Sequence, residues 1–197
     1  ALRYFVIAVR AARAPRHQGL GPVDRALIRA AEASAYRLIG RPALAVGPAT
    51  AAVAALDRLT DEEREEIAQL PRLYSQTGIA LYYAGEVEQA MDTFAKGLAA
   101  SPTTPPSPGF ANLAMLAGIH ALRGDLPEAR EHVSYARTGP WNARQRSMYT
   151  GTFYRLSEAM LALERLDTAA AREHLAALVH DRRTIEHWLA EAQVEAT

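Results

Sequence analysis

Residues 70–102 read L-P-R-L-Y-S-Q-T-G-I-A-L-Y-Y-A-G-E-V-E-Q-A-M-D-T-F-A-K-G-L-A-A-S-P. On either side of Gly85, apolar residues recur at three- and four-residue spacing, which is the period of an amphipathic helix. Alanine and leucine, strong helix formers, recur on both flanks. Gly85 stands where a left-handed cap would end one helix and turn the chain into the next. The stretch therefore predicts a helical hairpin.

The same grammar extends outward. Helices are expected near 2–14, 22–39, 42–58, 61–83, 86–100, 109–123, 126–137, 142–165, 168–180 and 182–195. Gly40 with Pro42, Gly124, and Gly139 with Pro140 supply the breaks. The stretch S-P-T-T-P-P-S-P at 101–108 is a loop between helices, because proline cannot continue a helix interior. Alternating β-branched runs are nearly absent, so the expected fold class is all-α.

Residues 59–70, L-T-D-E-E-R-E-E-I-A-Q-L, look like the opening of the DNA-binding helix-turn-helix in LuxR-type transcription factors. Such a module needs a second helix with polar and basic residues for the groove, and the residues that follow do not supply one. Thr60 with Glu63 three residues later instead makes a capping box.

The hairpin at 70–102 resembles the tetratricopeptide repeat, whose signature runs W-x2-L-G-x2-Y, then A-x3-F, then P. Tyr74, Thr77, Gly78 and Leu81 occupy the first part, and Ala90, Phe94 and Pro102 the second. The resemblance implies that Gly78 and Ala90 are small because two helices cross closely there, with Tyr74, Leu81 and Phe94 filling the surrounding space. A second copy holds A-L-R-G-D-L-P-E-A-R-E-H at 121–132, with Leu113, Leu116, Ala117 and Val133 in the packing roles and His120 at the place of Leu81. A third reads A-L-E-R-L-D-T-A-A-A-R-E-H-L at 162–175. Ala90, Ala129 and Ala171 stand 39 and 42 residues apart. The best repeats cover 71–102, 110–141 and 152–183, with 22–39 and 42–58 as an earlier pair.

The long period and the Arg/Ala-rich repeats are similar to the helical-repeat sensor region of LuxR-type, MalT-like bacterial transcriptional regulators. That resemblance implies a right-handed α-solenoid forming one domain over 1–197. It also implies a cytoplasmic sensor or interaction module, separate from the nucleotide-binding and DNA-binding parts of such regulators. The start inside an apolar run, A-L-R-Y-F-V-I-A-V, reads as a segment of a longer protein. The alternative is a tetratricopeptide scaffold that docks a protein and senses no small molecule.

Composition narrows the chemistry. Lys plus Arg equals Asp plus Glu, 22 against 22, so the basic excess of a nucleic-acid binder is missing. Cysteine is absent, which excludes disulfides and thiolate chemistry. No apolar run approaches the roughly 18 residues of a membrane span. Neither G-x-x-x-x-G-K-[ST], G-x-S-x-G nor H-E-x-x-H occurs. No cofactor, metal site or catalytic residue is expected, and the histidines read as exposed or capping. Glu158 and Glu164 have no partner that the sequence places.

Binding is expected on the stripe beside the packing residues of each first helix. In the first repeat this is Arg72, Ser75, Ile79 and Tyr82, with Tyr83 close by. The next repeats contribute Ala114, Met115 and Gly118, then Tyr149, Phe153, Leu156 and Met160. Small and aromatic linings suit an apolar peptide, a sugar face or a small hydrophobic effector. A protein or peptide partner, a small-molecule effector and a homo-oligomer are the partners considered. The same stripe would serve as packed core in a tighter superhelix.

Overall fold

The computed structural model describes residues 20–67, 69–102, 107–141 and 150–178. Among these every regular element is helical and none is a strand, as the all-α expectation requires. The elements are α1 (Pro22–Leu38), a 3-10 turn (Pro42–Ala45), α2 (Val46–Asp57), α3 (Asp61–Glu65) and α4 (Leu70–Tyr83). They continue with α5 (Val87–Ala99), α6 (Phe110–Arg123), α7 (Leu126–Thr138) and α8 (Gly151–Glu164). Residues 168–178 form α9. The described residues divide into two compact units, one up to Gly97 and one from Leu98 to residue 178. The helices expected at 2–14 and 182–195, and the first residues of the one expected at 142–165, lie outside the described residues.

One expected helix is two. The run 61–83 breaks after Glu65 and restarts at Leu70. Pro71 causes the break: it lacks an N–H and its ring would clash with the carbonyl four residues back, so it is accommodated only in the first turn of a new helix. The short α3 has the expected capping box. Glu63 N–H donates to Thr60 Oγ1 at 3.2 Å, and Thr60 N–H donates to Glu63 Oε2 at 2.9 Å.

In the first unit, Ala26, Leu56, Leu59, Leu70 and Tyr74 form a buried cluster joining α1, α2 and α4. The α4–α5 hairpin closes over Gly78. A methyl group there would fall 2.5 Å from Phe94 Cε1, so the aromatic ring lies directly on the glycine backbone. Ala90 and Phe94 are fully buried, and each large side chain so enclosed contributes roughly 2–3 kcal/mol of hydrophobic stabilisation. In the second unit, Phe110, Leu113, Ala114, Ala117, Val133, Ala136, Tyr154 and Leu161 form the core. Leu98, Leu126 and Trp141 pack against it.

The hairpins share one turn. Gly85 has φ +89° and Gly124 φ +81°. At the first, Gly85 N–H donates to Tyr82 O and Glu86 N–H to Leu81 O; at the second, Gly124 N–H donates to Ala121 O and Asp125 N–H to His120 O. This is a Schellman cap. The α8–α9 turn repeats it, with Leu166 N–H donating to Leu163 O and Asp167 N–H to Ala162 O. Leu166 holds φ 60° where the other two turns have glycine.

A second periodicity appears inside the first unit. Arg37 bonds to Gln76, Thr50 to Gln89 and Lys96 to Asp57, and each pair is 39 residues apart. Three side-chain bonds between the α1–α2 and α4–α5 pairs thus span the same sequence interval.

Candidate functional site

The structure places the stripe residues in two kinds of environment. On α4, Ser75 and Ile79 are each 1% exposed, whereas Tyr82 is half-buried and Arg72 and Tyr83 are exposed. In the second unit, Ala114, Met115 and Gly118 are buried, while Phe153, Leu156 and Met160 are half-buried. Tyr149 lies outside the described residues. Phe153 sits against Gly118, where an added methyl would fall 2.6 Å from its ring. Much of the stripe is thus the seam between neighbouring helices. What remains accessible on α4 is Arg72, Tyr82 and Tyr83, whose two rings meet edge to face at 5.8 Å.

Beside them stands a residue outside the expected stripe. Arg37, at the end of α1, reaches α4 and donates from Nη2 to Gln76 Oε1 at 3.5 Å. Its Nε is enclosed and has no hydrogen-bond partner. Burial lowers its pKa from the usual guanidinium range, and the nearby Tyr83, once ionised to phenolate, acts in the opposite direction. The 39-residue interval between Ala90 and Ala129, carried back to α1, is the signal that nominates the Arg37–Gln76 pair.

Glu158 has partners after all. It is 5% exposed in the second unit. Its Oε1 accepts from Tyr154 Oη at 2.7 Å and from Arg137 Nη2 at 3.2 Å. Its Oε2 accepts from Arg155 Nη1 at 3.2 Å, with His174 Nδ1 at 3.3 Å. A carboxylate has about four lone-pair sites, and three accept hydrogen bonds here. The group ties α7, α8 and α9 together. Glu164 pairs with Arg130 at 2.6 Å.

The described histidines, His120, His132 and His174, are half-buried and not exposed as expected; His17, His180 and His187 lie outside the described residues. The His120 and His132 rings lie 5.4 Å apart, and burial, reinforced by His120, lowers the pKa of His132. Among the described residues no three metal-ligating side chains gather. A depression of about 400 Å³ runs between α2 and α5. Three carboxylates line it, Asp57, Glu88 and Asp92, and Lys96 bridges two of them, Asp57 and Asp92, at 2.8 Å each. Among the described residues no helix is long and apolar enough to cross a membrane.

No protein-family model matches this chain, and neither a curated protein nor a solved structure does.

Proposed function

We propose that the chain is a sensor and interaction module, a right-handed solenoid of tetratricopeptide-like helix pairs of the kind carried by LuxR-type, MalT-like bacterial regulators. The observation that supports a repeat module is the recurrence of one turn, bond for bond, at Gly85, Gly124 and Leu166. Stacked repeats work through the faces their helices leave open. On this reading an effector or partner meets α4 at Arg72, Tyr82 and Tyr83, not at the sealed Ser75 and Ile79. Binding acts on the parent regulator by favouring one of its states over another, and it does so only through differential affinity.

The test is a calorimetric screen of the chain against metabolites and short peptides, repeated with Tyr82→Ala. A ligand whose affinity falls about tenfold or more in the variant, at unchanged circular dichroism, supports the reading. A ligand bound equally by both proteins removes α4 as the binding face. Phe153→Ala is unsuitable as a companion, because its ring packs on Gly118 and its loss would disturb the fold.

A further inference from the structure

We infer that Arg37, Gln76 and Tyr83 form an oxyanion site: the carboxylate or phosphate group of a small organic ligand meets the Arg37 guanidinium while its apolar body lies against Tyr83 and Tyr82. The inference rests on the sensor reading and deepens it by giving the ligand a charge.

Arginine carries its charge at every physiological pH, so a guanidinium withdrawn from water needs a counter-charge. Three arginines among the described residues are half-buried: Arg37, Arg64 and Arg155. Arg64 has Asp61 at 3.8 Å and Arg155 has Glu158 at 3.2 Å. Among the described residues Arg37 has only the neutral amide oxygen of Gln76, at the outer limit of a hydrogen bond. No acidic residue lies between Glu66 and Glu86, so α4 cannot supply the missing charge. The nearest carboxylate earlier on α1, Glu32, is paired with Arg29 at 2.9 Å. Arg72 adds a second cation one turn before Gln76; its hydrogen bond goes to Gln69 Oε1 at 3.2 Å, again not to a carboxylate.

Among the described residues, Arg37 is thus the half-buried arginine left without an acid, and the exposed Arg72 nearby bonds to no acid either. Guanidinium groups bind carboxylate and phosphate through paired N–H donors, more strongly than neutral donors do. Tyr83 is 46% exposed and stands edge to face with Tyr82, so an aromatic or sugar ring has a surface to lie on beside the charge.

The experiment titrates inorganic phosphate, phenyl phosphate and benzoate into the whole chain by calorimetry at fixed ionic strength, with chloride as the control. Saturable binding of a ring-bearing anion is expected, tighter than that of inorganic phosphate and about tenfold or more weaker in Arg37→Gln. Tyr83→Ala should bring the ring-bearing anion down toward inorganic phosphate. Preference for phenyl phosphate identifies a phosphate ligand, and preference for benzoate a carboxylate. Arg37→Gln removes an uncompensated charge, so it should melt at or above the temperature of the parent; Arg37→Lys, which keeps the charge without the fork, is the second variant and should bind at an intermediate level. No saturable binding by any anion, or equal binding by Arg37→Gln, overturns the site. If a neutral ligand from the metabolite screen still depends on Tyr82 in that event, the oxyanion site falls and the sensor reading stands.

Discussion

Replacing Leu166 by glycine should stabilise the protein. Leu166 holds φ 60° at the turn where the two preceding hairpins have Gly85 and Gly124. The left-handed region costs an L-residue with a Cβ roughly 1–2 kcal/mol. Glycine enters it freely but loses more freedom on folding, by roughly 0.5–1 kcal/mol. The leucine side chain is 86% exposed, so little burial is forfeited with it. The balance favours glycine by about 0.5–1 kcal/mol, or roughly 1–4 °C in Tm for a chain of this size. Gly124→Ala, at φ +81°, should shift Tm the opposite way by a similar amount. Both are read by calorimetric melts and checked by urea unfolding at equal m. A Tm for Leu166→Gly at or below the parent value, with Gly124→Ala neutral, would refute the account of these turns as one strained motif.

Gly78→Ala should destabilise by about 1–3 kcal/mol, because the added methyl meets the buried Phe94 ring at 2.5 Å and the packed core leaves little room to move. Gly47→Ala is its control: nothing lies within 4 Å of the new methyl, and a urea series should find it neutral or stabilising. Tyr154 makes stability fall in alkali. Burial first, and then its hydrogen bond to Glu158, push the phenol up to about 12. The folded state therefore keeps a proton that the unfolded chain begins to lose near pH 10. This stabilisation is complete below pH 10 and is lost as pH rises toward 12, by up to roughly 2 kcal/mol. Urea midpoints for Tyr154→Phe between pH 9 and pH 12 should decline less steeply than those of the parent; parallel curves would contradict the assignment.

The helices were legible because their causes are local. Spacing of apolar residues, the Thr60–Glu63 capping box and glycine at positions 85 and 124 each act within one or two turns. Gly78 was legible as a close crossing for a similar reason, since its partner Phe94 lies in the same hairpin. The break at Pro71 is equally local, but the apolar period on its two sides is in phase and masks it.

The amino-acid sequence by itself determined the helical character of the described residues, the hairpin at Gly85 and the glycine turn that recurs at Gly124. Tertiary structure alone decided which stripe residues are sealed and which face water, because burial depends on the helix packed opposite and not on the residue's own period. It also decided where charges find partners. Glu158 gathers Arg137, Tyr154, Arg155 and His174 from three helices, while Arg37 reaches 39 residues along the chain and meets an amide. Long side chains settle such matters by geometry across helices, at distances that a one-dimensional pattern does not encode.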